Sequence, residues 1–169
     1  AGVAPAEAAQ QAKAFKGKIS VEQIVDNFEV REDLVEALHA ASKLLDKGFI
    51  EDALRLDIEK HGVIASWSEV IVPLLFLIGD EWEKTQTGIE VEHLLTEILK
   101  SILRERSSMA SEPCNPRPVL LASVGEEMHS LALHALASAL AEKNISTYFL
   151  GARTPLEALN GVITRSAPP

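Results

Sequence analysis

The residues best suited to chemistry in this sequence are Glu127 and His129, which come directly after an apolar run and Gly125. The run begins at Val119 and predicts a buried strand, and an apolar helix follows His129. This order places His129 on a loop at the carboxyl end of a strand, the edge where open α/β sheets bind ligands. From the residues alone, the pair is a metal ligand with its supporting carboxylate, a general base with its orienting group, or a surface pair without a role.

A second candidate cluster is predicted where two helices meet. Trp82 ends one predicted helix, and Glu92 and His93 lie in the first turn of the next, beyond the break at Gly88. A helical hairpin brings these positions to one end of a bundle. Both residues also have a purely structural explanation. Trp82 would close the end of the bundle core, and the carboxylate of Glu92 would be stabilised by the dipole at the N-terminus of its helix.

The first part of the chain is predicted to form the helical bundle that carries this cluster. Apolar residues at helical spacing predict helices over 31–47, 50–60, 66–82 and 90–106. Their predicted buried positions include Leu34, Leu38, Ala41, Leu45; Ala53, Leu54, Ile58; Val70, Leu74, Leu77, Ile78; and Val91, Leu94, Leu95, Ile98, Ile102. A capping box over 66–69 is predicted to open the third helix, and Pro73 is expected to bend that helix or shift its start.

The second part is predicted to form an α/β domain. Strands are expected at 119–123 and 146–150, a helix at 130–143, and a last helix capped by Thr154 and Pro155 after Gly151. The predicted domains are the end of a preceding domain (1–18), the bundle (19–106), a proline-rich linker (107–118) and the first half of a Rossmann-like, flavodoxin-like sheet (119–169). We expect the sequence to be a fragment of a longer protein.

Composition excludes several classes of function. The 169 residues carry a formal net charge of −9, which is a poor match to a nucleic-acid backbone. The single cysteine, Cys114, excludes an internal disulfide and is typical of a cytosolic protein. The apolar run over 70–78 is short for a membrane span and contains a proline, so no membrane association is expected. His39, His61 and His134 have no partner at ligand spacing.

The combination of a helical bundle, a proline-rich linker and a Glu-x-His loop resembles the cobalamin-binding module. This module is found in methionine synthases, corrinoid methyltransferase proteins and light-sensing regulators of the CarH/LitR type. Its loop motif, Asp/Glu-x-His-x-x-Gly, is here Glu127-Met128-His129-Ser130-Leu131-Ala132, with alanine in place of glycine. The resemblance implies that His129 is the lower axial ligand of cobalt and that Glu127 supports it.

Trp82, nine intervening residues and Glu92-His93 resemble the W-x9-E-H motif of the adenosylcobalamin photoreceptors. The resemblance implies that these residues and Ile89 surround the adenosyl group. Glu83 stands where the best-known photoreceptors have a second cobalt-capturing histidine. The start of the chain resembles the last helix of a MerR-type DNA-binding domain.

The resemblance implies a light-responsive adenosylcobalamin sensor in a bacterial cytoplasmic transcription regulator, and not an enzyme. It also implies a homo-oligomer that contacts DNA only through an N-terminal domain missing here. Two alternatives stay open at this point. One is a corrinoid protein that carries methylcobalamin in a methyltransferase system, and the other is a cofactor-free interaction module of the same fold.

Overall fold

The computed structural model describes residues 31–109 and 112–166, so the predicted end of a preceding domain at 1–18, with its MerR-like start, lies outside the described residues. Four α-helices form the bundle: α1 (Arg31–Lys43), α2 (Lys47–Ser66), α3 (Val72–Thr85) and α4 (Ile89–Ser107). A π-helical segment, Trp67–Ile71, joins α2 to α3. After residues 112–118 follow β1 (Val119–Val124), α5 (Leu131–Ala141), β2 (Thr147–Thr154) and α6 (Leu156–Ser166).

The bundle core confirms most of the predicted apolar stripes. Side chains with almost no exposed surface fill it from all four helices: Leu38, Ile50, Leu54, Ile58, Leu74, Leu95, Leu99, Ile102 and Leu103. The prediction was wrong for Leu45 and Leu77, which are 49% and 41% exposed. Helix α1 ends at Lys43, and Leu45 has a positive φ of 54°, so it lies in the turn and not on the helical stripe.

The junction between α2 and α3 differs from the prediction. Helix α2 continues past His61 to Ser66, with one non-helical residue inside it, Gly62 (φ 80°, ψ 163°). Ser66 has helical φ and ψ and makes no side-chain cap hydrogen bond, so the predicted capping box does not form. The α-helix begins at Val72 instead, and Pro73 lies in its first turn, where a missing N–H is tolerated.

Among the described residues, one stretch, Lys47–Thr85, is long enough and apolar enough to cross a membrane. This finding rests on length and composition only. Gly62 and the π-helical segment interrupt its regular helix. Val63, Val70 and Leu74 of this stretch are at most 1% exposed and belong to the bundle core. Burial in the bundle core accounts for a third of the apolar window, and other large apolar residues in it, Ile64 and Phe76, are 64% and 70% exposed.

Strands β1 and β2 pair in parallel, with Val119 opposite Thr147 and Leu121 opposite Phe149. Gly151, which was predicted to end the second strand, lies within β2 opposite Ala122. Its φ of 83° accompanies a shift in register after Leu121, and the strand continues to Thr154. The fold is a helical bundle followed by a short parallel α/β unit, as the sequence predicts.

Helix α5 joins the α/β unit to the bundle. Ala135 belongs to the same buried cluster as the bundle leucines, and Ser138 is fully buried. The hydroxyl of Ser138 donates a hydrogen bond of 3.1 Å to the carbonyl oxygen of Leu103 in α4. Helix α5 therefore packs between the two-stranded sheet and the bundle.

Candidate functional site

The loop between β1 and α5 is held in place by three hydrogen bonds to backbone groups. Gly125 has a φ of 69°, and its N–H donates to the carbonyl oxygen of Thr154 over 3.3 Å. The N–H of Arg153 donates to the carbonyl oxygen of Glu127 over 3.0 Å. The hydroxyl of Ser123 donates to the carbonyl oxygen of His129 over 3.0 Å. The end of each strand thus fixes the backbone from which Glu127 and His129 project.

Glu127 and His129 form a local pair. Oε1 of Glu127 accepts a 2.7 Å hydrogen bond from the backbone N–H of His129 and lies 2.6 Å from Nδ1 of its ring. These bonds, the backbone one first, lower the pKa of the Glu127 carboxyl below its ordinary value. An ionised carboxylate takes a proton-bearing Nδ1 as its donor, which leaves the lone pair on Nε2.

The imidazole of His129 is available to an external ligand. Its side chain is 96% exposed. A histidine whose Nδ1 is held by a carboxylate and whose Nε2 faces solvent has the arrangement of a metal-ligating histidine before the metal binds. The same arrangement also serves a general base, and it is equally compatible with a surface pair without a role, so the geometry of the loop leaves all three alternatives open.

The bundle carries the other predicted site residues at the hairpin between α3 and α4. Trp82 is 38% exposed near the end of α3, and Ile89 is 51% exposed at the start of α4. Glu92 and His93 are also exposed in the first turns of α4. The described part of the chain has no hydrogen bond or ring contact that joins Trp82 to Glu92 or His93. The four side chains share one end of the bundle and are open to solvent there.

The packing of α4 against α5 determines where the His129 loop lies relative to the bundle residues Glu92 and His93. Leu103 pairs with Ser138, and Arg106 lies 3.6 Å from the carboxylate of Glu142, so the two helices run in the same direction. The start of α5, and the His129 loop before it, therefore lies toward the N-terminal half of α4. Glu92 precedes Leu103 by about three helical turns and so shares its face of α4. Glu92 is exposed at this position.

The single imidazole of His129 is compatible with a cofactor in which a macrocycle already holds the metal. Over residues 31–109 and 112–166, no three His, Cys, Asp or Glu side chains are grouped so that they could hold a metal ion. A bare transition metal generally needs several protein ligands. A single oriented imidazole is sufficient when the other coordination positions are filled by a macrocycle. Ala132, at the position of the motif glycine, is exposed, so its methyl group has open space.

Sequence analysis missed a polar cluster elsewhere in the bundle. Oε1 of Glu81 in α3 accepts a 2.7 Å hydrogen bond from Lys43, and Oε2 lies 2.9 Å from Nε2 of His39. These residues line an open cavity of about 200 Å³ beside Gly88 and Val91. The partners come from different helices and are 38 and 42 residues apart, so no local spacing could have revealed them. The cluster holds the end of α3 that carries Trp82.

His134 also has partners that the sequence did not reveal. It is 5% exposed, and its ring stacks on Phe149 of β2 at a centroid distance of 4.3 Å. Burial lowers the pKa of its imidazole, and the charges of Arg104 and Lys100 lower it further. His134 is therefore a buried packing residue whose ring stacks on the sheet.

Replacing Glu81 with glutamine should lower the unfolding temperature at pH 7 by no more than about 4 °C, because partly exposed ion pairs contribute little. The hydrogen bond from Lys43 is the main cause that lowers the pKa of Glu81 below 4.5. The ionised Glu81 carboxylate therefore stabilises the fold fully above pH 4.5. This stabilisation is lost as the pH falls through the lowered pKa of Glu81 in the folded protein. Thermal unfolding of both proteins across this pH range checks the prediction, with the exposed neighbour Glu83→Gln as control. A difference in unfolding temperature between wild type and Glu81→Gln that increases as the pH falls would contradict the prediction.

The fold and the loop define the class: a helical bundle joined to a parallel α/β unit, with one carboxylate-oriented histidine at the sheet edge. No protein-family model matches the chain. The chain is 27% identical over 134 residues to the HTH-type transcriptional repressor CarH of Myxococcus xanthus, an alignment that covers 79% of this chain. It spans 44% of the length of that repressor. The chain is thus a distant relative of a CarH-type transcriptional regulator.

Proposed function

We propose that this chain is the adenosylcobalamin-binding, light-responsive sensor module of a transcriptional regulator. The observation that carries the proposal is the His129 imidazole, whose Nδ1 is held 2.6 Å from Glu127 while the side chain is 96% exposed. The relation to a transcriptional repressor supports a regulatory role and not an enzymatic one. The acidic charge of the chain is compatible with DNA contact through a separate N-terminal domain.

Each predicted site residue has a role in this proposal. His129 would ligate cobalt through Nε2, and Glu127 would keep its ring oriented and its lone pair available. Trp82 and Ile89 would contact the adenosyl group, and Glu92 and His93 would supply polar groups beside them. When bound, adenosylcobalamin supplies a cobalt–carbon bond that visible light cleaves.

The response would require a movement of the bundle. Ile89, Glu92 and His93 are exposed in the first turns of α4, and Trp82 is 38% exposed near the end of α3. Loss of a bulky group from this face would remove contacts that favour one position of the bundle over another. A change of this kind would alter self-association of the whole cytoplasmic regulator and, through it, DNA binding.

The test is the absorption spectrum of the complete regulator after incubation with adenosylcobalamin, before and after green light. We expect a base-off spectrum in the dark, a spectral change on illumination, and a change in oligomeric mass by size-exclusion chromatography. Methylcobalamin and light without cofactor serve as controls. Preferred binding of methylcobalamin, with no change in assembly under light, would favour a methyl-carrier protein instead. Absence of binding to either cobalamin would favour a cofactor-free interaction module.

A further inference from the structure

A break in helix α2 lies directly against the α/β unit. Gly62 has a φ of 80° and a ψ of 163° between helical neighbours, so the regular ladder of backbone hydrogen bonds is interrupted there. The next residue, Val63, is only 1% exposed. A buried N–H at such a break is costly unless another acceptor replaces the lost helical one.

Glu142, at the end of α5, supplies that acceptor. Its Oε1 accepts a hydrogen bond from the N–H of Val63 over 3.0 Å, and Oε2 lies 3.3 Å from the same nitrogen. The two residues are 79 positions apart in sequence. The carboxylate is 27% exposed and lies 3.6 Å from Nη2 of Arg106 in α4. It therefore caps the second part of α2 from another part of the fold, as an acidic N-cap residue does within one helix.

We propose that Glu142 is a clamp that holds α2 in its kinked form and thereby couples the position of the α/β unit to the shape of the bundle. Glycine adopts positive and negative φ with similar ease, so Gly62 permits either a kinked or a continuous α2. The carboxylate selects the kinked form because only that form presents the Val63 N–H to it. Since α5 begins two residues after His129, movement of this helix would open the clamp and release α2.

Hydrogen exchange at the Val63 amide tests the clamp on the full chain without cofactor, so the outcome does not depend on cobalamin binding. Glu142→Ala should speed exchange at Val63 by at least about tenfold, because a hydrogen bond to a charged acceptor is lost. Glu142→Gln keeps an acceptor oxygen and should have a clearly smaller effect. Glu105→Gln is the matched control, since its carboxylate pairs with Arg55 at 2.6 Å within the bundle.

Substitution of Gly62 tests the same clamp from the other side. A Cβ at this position would lie 3.4 Å from Oε2 of Glu142, and the positive φ is strained for alanine. Gly62→Ala should therefore also release Val63, and combination with Glu142→Ala should add little further effect. Gly48→Ala is the control, because its nearest atom, Oδ1 of Asp46, would be 3.8 Å away.

Spin labels on exposed Asp52 of α2 and Asn160 of α6, in a Cys114→Ser background, report the coupling directly. Their distance distribution should broaden in Glu142→Ala and stay as in wild type in Glu105→Gln. Unchanged Val63 exchange in Glu142→Ala, or independent and additive effects of the two substitutions, would overturn the proposal. Should Gly62→Ala fail to fold, the Glu142 variants with the exchange and distance measurements still decide the matter.

Discussion

Replacement of His129 by alanine should weaken cobalamin binding by more than about 100-fold, because even a residue that only orients a metal-bound histidine contributes about 10- to 100-fold. The base-off spectrum of the bound cofactor should be lost with it. Stability should stay within about 0.5 kcal/mol of wild type, since the side chain is 96% exposed and the backbone bonds to Glu127 and Ser123 remain possible.

The measurements for His129→Ala are a titration followed by absorption and a thermal unfolding curve. His61→Ala is the matched control, as this histidine lies on α2 and is 47% exposed. It should leave both the spectrum and the affinity unchanged. A His129→Ala protein that still gives the wild-type base-off spectrum would remove this residue from the site.

Leu103→Ala should give the largest loss of stability among single changes at the contact between the bundle and α5. Leu103 is fully buried, and its carbonyl oxygen accepts the hydrogen bond from Ser138. Truncation of a buried leucine costs about 2–5 kcal/mol through lost burial and the cavity that remains. In a protein of this size, such a loss lowers the unfolding temperature by about 10 °C.

Urea unfolding followed by circular dichroism measures this effect. Leu44→Ala is the control, since Leu44 is 71% exposed and its truncation should change the unfolding free energy by less than about 0.5 kcal/mol. Equal effects of the two substitutions would show that Leu103 does not form part of the core that unites the bundle with α5.

The errors of prediction share a physical origin. Ser66 to Glu69 has the composition of a capping box, which predicts the start of a helix. The chain is already helical at Ser66, and Ser66 is buried, so no helix begins there. Gly151 was expected to end a strand, yet pairing with Ala122 carries β2 through it. In both places, packing and pairing with distant residues outweighed a local preference.

The Glu127–His129 pair could be predicted because it is local. One residue separates its members, and the backbone of the turn itself brings the carboxylate to the ring and to the N–H of His129. The Glu81 cluster and the bond between Glu142 and Val63 could not be predicted, because their partners are 38 to 79 residues apart. Nothing in the spacing of either residue marks it as a contact between helices.

The sequence by itself determined the helical stripes, the β-α-β-α order and the carboxylate-histidine pair, since each depends on residues within a few positions of one another. Only the tertiary structure decided the parallel alignment of α4 and α5, and with it the common end toward which Glu92, His93 and the His129 loop lie. It also decided that Gly62 breaks α2 against Glu142. These features depend on which buried faces pack together, and many pairings of apolar faces satisfy the same periodic pattern.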